Sequence, residues 1–264
     1  MKIINPEKEF IIVRHSMLNG VGYSFKNAIQ ESLTLQSYIG DKKIVVCFEG
    51  DLHQIQENGE IVFTHRNTIK VDIETSLRFR EMGIISSLDE VVEAVLSFKK
   101  ESPGTRLIFC IELKQITWFS TIKKTMLKLK ENNITEVYFD SFNGNKLDEV
   151  SEINKQIGTN FERSFHVIGN ISKIILSLKK PRYGYDVLTV PLATSFGKLN
   201  KPLINGAVNS HHILNRIAKL DNVFGAYVRF REGNPLFLLF NSVRNTKWFR
   251  GKHVMRSHQI VEKK

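Results

Sequence analysis

Apolar residues are gathered along this chain into eight short, β-branched runs, separated by stretches in which an apolar residue returns every three or four places. The runs are FIIV at 10–13, IVVCFE at 44–49, LIFCIEL at 107–113, EVYFDSF at 136–142, FHVI at 165–168, YDVLTV at 185–190, LINGAV at 203–208 and VFGAYV at 223–228. Nearly continuous hydrophobicity over so few residues predicts strands buried on both faces, the habit of parallel sheets. The clearest helix is SLDEVVEAVLSFKK. Ser87 and Glu90 have the spacing of a capping box, and Leu88, Val91, Val92, Val95 and Leu96 share one face. Further helical faces are read from Phe25, Ala28 and Ile29; Trp118, Phe119, Ile122, Met126 and Leu129; Leu147, Val150 and Ile157; Ile171, Ile174, Ile175 and Leu178; and Ile213, Leu214 and Ile217. Residues 191–201, PLATSFGKLNK, are too short and too punctuated by Gly and Pro for a full helix and predict a loop.

Strands alternating with helices imply right-handed crossovers, and eight of them close most naturally as a (β/α)8 TIM barrel. The alternative is a doubly wound open sheet, which carries a glycine-rich turn after its first strand; HSMLNGVGYS lacks the G-x-G-x-x-G pattern. The expected organisation is a barrel domain over residues 1–228 and a short basic extension over 229–264.

Composition agrees with one α/β domain of 264 residues, 42% hydrophobic. The net charge of +11 is uneven: residues 229–264 hold nine Lys or Arg against two acids. Interleaved with Trp248 and Phe249, that charge suits an anionic partner such as nucleic acid, a polyanionic glycan or a lipid surface, or else a plain solvated extension. No RRM, KH or helix-turn-helix pattern accompanies it. No window approaches the roughly 18 apolar residues of a membrane span, and MKIINPEKEF has no long apolar stretch, so a cytoplasmic protein is expected. Cys47 and Cys110 fall inside strand runs and read as buried thiols, not as a disulfide framework.

Chemistry concentrates at strand ends. In FEGDL, Glu49 and Asp51 are two apart and leave one face of the second strand; Glu112, in CIELK, has the matching place on the third. The C-terminal rim is where barrels keep their sites. Three carboxylates brought together there call for compensation, and a hard cation that prefers oxygen, Mg²⁺ or Ca²⁺, supplies it. Lys114, two residues after Glu112, is placed to neutralise a carboxylate or meet a phosphate oxygen. The competing reading is an internal salt-bridge network of these acids with Lys114 and Arg14. His15, ending the first strand, and His65, closing ENGEIVFTHR, are the candidate acid and base for phosphodiester cleavage.

The segment FEGDLHQIQENGEIVFTHR resembles the glycerophosphodiester phosphodiesterase signature: E-x-D, a glycine turn, then V-x-x-H. FIIVRHS resembles that family's first-strand His-Arg segment, IISSLDEVVEAV its lead into a helix, IFCIELK its E-x-K strand, DSFNGNKL its Ser-Phe strand end, LINGAVNS its WTVN-like seventh strand and NVFGAYV its glycine-containing eighth. The resemblance covers almost all of residues 10–228. It implies a TIM barrel that hydrolyses a small phosphodiester to glycerol 3-phosphate and an alcohol. It implies Glu49, Asp51 and Glu112 as ligands of Ca²⁺ or Mg²⁺, His65 as a catalytic histidine, Lys114 as a phosphate contact and Asn209 in a supporting place. An ungapped match puts Arg14, a candidate phosphate contact, where the family has its first catalytic histidine, and His15 remains the second catalytic candidate from its place at the end of the first strand. The departures are specific. The family's His-Arg order is reversed to Arg14-His15, its His-Asp pair has become His65-Arg66, and its proline-glutamate-asparagine-threonine-like turn has become Val21-Gly22-Tyr23-Ser24. Successive strand residues face opposite sides, so only one of Arg14 and His15 can face the carboxylates. An inward arginine would take the cation's place and leave a binding module for an anionic phosphodiester, glycan or lipid; an inward histidine keeps catalysis open.

Overall fold

The computed structural model describes residues 8–15, 17–19, 25–55, 57–64, 73–83, 85–166, 187–190, 203–208, 211–221 and 223–228. All belong to one compact unit, Met1–Arg229; the second unit, Phe230–Lys264, carries the basic extension and lies outside the described residues. In chain order the elements are β1 (Glu9–Arg14), α1 (Phe25–Leu33), β2 (Lys43–Gln54), β3 (Ile61–Phe63), α2 (Ile73–Glu81), β4 (Ser86–Ser87), α3 (Leu88–Glu101) and β5 (Leu107–Leu113). There follow α4 (Phe119–Glu131), β6 (Val137–Ser141), α5 (Gly144–Ile157), β7 (Glu162–His166), β8 (Val187–Val190), β9 (Leu203–Val208), α6 (His211–Ala218) and β10 (Val223–Val228).

Eight strands form a closed parallel ring in the order β1, β2, β5, β6, β7, β8, β9, β10, with β10 pairing back onto β1. The fold is therefore the eight-stranded barrel, and β3 and β4 are additions, β3 paired antiparallel with the last three residues of β2 and β4 antiparallel with β3. Every strand run read from the sequence has its strand; LIFCIEL, LINGAV and VFGAYV coincide with β5, β9 and β10 residue for residue. Two bounds differ. β2 continues to Gln54, because its last residues take β3 as a partner. β7 begins at Glu162 rather than near Phe165, because ERSFH pairs with Tyr138–Ser141 although it is not apolar.

Alternation along these strands separates a floor from an outer layer. Ile11, Val13, Val45, Cys47, Ile108, Cys110, Tyr138, Ile204 and Tyr227 form one buried cluster inside the ring. Outside, Phe48 packs on Phe25 of α1, ring centroids 4.7 Å apart, and Phe25 meets Phe98 of α3 edge-on at 6.1 Å. α3 opens on the expected capping box: the Ser87 side chain accepts from the Glu90 N–H, and the Glu90 carboxylate accepts from the Ser87 N–H. Its buried face is Leu88, Val91, Val92, Val95 and Phe98. α2 has no counterpart in the sequence reading; Ile73 and Leu77 are exposed, so no apolar stripe announces it. The helix read from Ile171–Leu178 and the loop read over 191–201 lie outside the described residues. Both thiols are buried, and burial pushes them up, which removes them as nucleophiles.

Candidate functional site

Register carries the carboxylates to one place. β2 and β5 pair from Val46↔Leu107 to Leu52↔Leu113, which sets Asp51 directly beside Glu112 and Glu49 beside Cys110. Cys47 and Cys110 belong to the interior floor, so Glu49, Asp51 and Glu112, in step with them at twos, face inward just above it. All three are buried, and each offers an oxygen within 4.8 Å of the others'. They stand at the C-terminal end of the strands, the mouth of the barrel.

Lys114 spans part of this cluster. Its Nζ lies 3.0 Å from Asp51 Oδ1 and donates to Glu112 Oε1. The loop holds it there: the Lys114 N–H donates to Thr117 Oγ1 at 3.0 Å, and Thr117 Oγ1 donates to the Leu52 carbonyl at 3.3 Å. Burial pushes the Glu112 carboxyl up, neighbouring Asp51 adds to this, and Lys114 only partly opposes them, leaving it at about 7. Burial works against the Lys114 ammonium, but Glu112 and Asp51 outweigh it and hold the group above its ordinary range. Three carboxylates against one ammonium leave the mouth short of positive charge. An all-oxygen donor set of this compactness fits a hard divalent cation.

The order of the first-strand pair is resolved by alternation. β1 and β2 pair without interruption from Glu9↔Lys43 to Arg14↔Phe48, so no bulge shifts the strand. Val13 faces the interior floor, and Arg14 therefore points outward, where its guanidinium pairs with Glu31 of α1. His15 returns to the inside: its Nε2 lies 3.9 Å from Glu49 Oε2, and its ring stands edge-on to Tyr227. Arg14 is thus engaged away from the carboxylates, and the inward position belongs to the histidine. His65, Arg66 and Asn209, read as site residues or departures from the sequence, lie outside the described residues, as do Val21–Ser24.

Four residues of the mouth escaped the sequence reading. Asp140, fully buried, sits beside Glu112 by register across β5 and β6. His166 ends β7 with Nδ1 2.7 Å from Asp140 Oδ2. Tyr227 donates to the same Oδ2 at 3.3 Å. His53, two residues beyond Asp51, is also buried. Asp140 had a legible signal, an acid in EVYFDSF at the strand end that matches Glu112; His166 lay inside the run FHVI, read as a buried strand, with no neighbouring acid to mark it as a site residue.

No protein-family model and no curated protein matches this sequence. Two solved structures are similar in fold. A glycerophosphodiester phosphodiesterase from Thermotoga maritima aligns with TM-score 0.48 at 18% identity, over 89% of this chain and 98% of that one. A glycerophosphodiester phosphodiesterase from Parabacteroides distasonis aligns with TM-score 0.50 at 15% identity, over 93% of this chain and all of its own, 100%. The chain is thus a closed parallel β/α barrel similar in fold to the Parabacteroides distasonis glycerophosphodiester phosphodiesterase, with a buried acidic cluster at its mouth.

Proposed function

We propose that this barrel is a metal-dependent phosphodiesterase that cleaves a glycerophosphodiester, or a related small phosphodiester, to glycerol 3-phosphate and an alcohol. The observation that carries the reading is the meeting of Glu49, Asp51 and Glu112 within 4.8 Å, with His15 rather than Arg14 turned toward them. Glu49, Asp51 and Glu112 would hold the cation, Ca²⁺ or Mg²⁺, which supplies charge neutralisation and polarisation of a phosphoryl oxygen when bound. Lys114, tethered through Thr117, presents an ammonium at the same mouth for a non-bridging phosphate oxygen. His15, 3.9 Å from Glu49, takes the proton of the attacking oxygen, either a water that gives glycerol 3-phosphate directly or a substrate hydroxyl whose cyclic phosphate product a water then opens. His65 and Asn209 join the site on the strength of the resemblance alone.

Lys114 favours a second reading. Bridging Asp51 and Glu112, it compensates part of their charge, and a barrel so compensated serves as a binding module for an anionic phosphodiester without turning it over. The basic segment 229–264, which in either reading docks the protein on an anionic surface or polymer, belongs to the same proposal. Turnover of glycerophosphocholine by the pure protein, with and without EDTA, separates the two. Activity lost to EDTA and restored by Ca²⁺ or Mg²⁺ supports the hydrolase. Activity indifferent to EDTA removes the carboxylates' assigned role, and tight phosphodiester binding without turnover selects the binding module.

A further inference from the structure

The floor and the carboxylates account for most of the inward positions of β1, β2 and β5, but they leave unexplained a polar group that begins on the adjoining strand, β6. Asp140 is fully buried, yet it is an acidic side chain placed next to Glu112, the fourth in a crowded mouth. A buried acid in that position costs stability unless it is held by donors. Its neighbours are specific. His166 Nδ1 lies 2.7 Å from Oδ2, at ion-pair distance though not aligned as a hydrogen bond, and the Tyr227 hydroxyl donates to the same oxygen from the far side of the ring. His166 is also clamped: its imidazole stacks on Phe142, centroids 4.4 Å apart and planes 23° from parallel, and lies 5.7 Å from the Tyr227 ring. With Nδ1 facing Asp140 Oδ2, Nε2 is the nitrogen left to exchange a proton. A carboxylate that fixes one nitrogen of a histidine sets its tautomer, its direction and its basicity.

The charged and titratable groups around this imidazole come from three strands: Asp140 on β6, Glu112 and Lys114 at the end of β5, and Tyr227 on β10. Burial disfavours the imidazolium, but Asp140, with Glu112 behind it, outweighs both burial and Lys114 and raises the group above the ordinary histidine range. The Tyr227 hydroxyl is itself pushed up by burial and remains a neutral donor. His166 is thus kept protonated to a higher pH than a free imidazole, the state a proton donor needs.

We propose that His166, held by Asp140, is the proton donor to the leaving alcohol, on the wall of the mouth opposite His15. The proposal rests on the phosphodiesterase reading above and divides its proton transfers between two walls. The attacking oxygen forms a bond to phosphorus and gives its proton to His15. The bond from phosphorus to the leaving oxygen breaks, its electron pair stays on that oxygen, and the oxygen takes the proton from His166 Nε2. Asp140 acts through His166 and is a positioning residue.

A pair of substrates that differ only in their need for protonation tests this. Glycerophosphocholine has a poor alkoxide leaving group; glycerophospho-p-nitrophenol releases a phenolate that departs without help. His166→Gln is expected to lose about 10² to 10⁴-fold in kcat/KM on the first and less than about tenfold on the second. His166→Asn, made alongside it, repeats the measurement should the glutamine variant misfold, with far-UV circular dichroism as the control. Asp140→Asn is expected to move the alkaline limb of the pH profile to lower pH, because the carboxylate that raises His166 has gone; a purely structural role leaves that limb in place. Equal losses on both substrates, no loss on either, or a leaving-group-selective loss in His65→Gln instead of His166→Gln overturns the proposal and leaves the hydrolase standing. A wild-type protein inactive on both substrates overturns the hydrolase reading and this assignment with it.

Discussion

Glu112 stands between Asp51 and Asp140, one on each neighbouring strand, with Lys114 as the near cation. The sign of its pH dependence follows. Its carboxyl is raised from 4.5 to about 7 in the folded protein, so the folded state holds a proton that the unfolded chain has released. That stabilisation is fully present below the unfolded value and is lost as pH rises through about 7. The metal-free protein should therefore melt at a lower temperature at pH 8 than at pH 6. Cation binding runs the other way, because the ligand must be deprotonated. Calorimetric titration with Ca²⁺ at pH 6, 7 and 8 should show affinity falling about tenfold per unit below 7, the limit for one displaced proton; an affinity constant across that range removes Glu112 from the ligand set. Asp51→Asn should weaken Ca²⁺ by at least about tenfold in the same experiment, since one of three anionic oxygen donors is lost. The carboxylates were legible in the sequence from their spacing together with the resemblance carried by FEGDL and IELK. His15 and Arg14 were legible as a choice, and strand parity made the choice.

Elements show the same division between local signal and packing. The capping box of α3 is written in Ser87 and Glu90, and the helix forms where it predicts. Ser87→Ala removes an acceptor for an orphan N–H at the first turn and should cost about 1 kcal/mol, read as a shifted urea midpoint at unchanged slope. Gly225 carries no such local signal. It pairs with Ile11 where β10 closes the ring onto β1, and an added Cβ would come within 2.6 Å of the Ile11 carbonyl oxygen and its Cβ. Gly225→Ala should cost about 1–3 kcal/mol, because backbone on both sides must move; a variant as stable as the parent would contradict so close a contact. α2 was illegible for the opposite reason. IETSLRFRE buries Phe79 but exposes Ile73 and Leu77, so its helicity leaves no stripe to read.

For the whole barrel, a cation at the mouth is linked to folding through β2 and β5 together, since unfolding separates its ligands. A ligand that binds only the folded chain at 100 times its dissociation constant adds about 2.7 kcal/mol. For a barrel of this size that corresponds to a rise of roughly 5–10 °C in melting temperature. A thermal scan across a Ca²⁺ series should show this rise in the parent and a much smaller one in Glu49→Gln. A flat series would show that no cation is held by the folded state at all.

The sequence by itself determined the eight barrel strands, the barrel class, the capped α3 and the three carboxylates at two strand ends. These rest on periodicity or spacing within single segments, or on the number of such segments, where the chemistry of neighbouring residues is enough. Tertiary structure alone decided which of Arg14 and His15 faces the carboxylates, the place of Lys114 across Asp51 and Glu112, and the union of Asp140 with His166 and Tyr227 from β6, β7 and β10. The physical reason is register. A slip of one residue between strands turns every side chain to the other face, and register is set by the closure of the ring, which no single segment encodes.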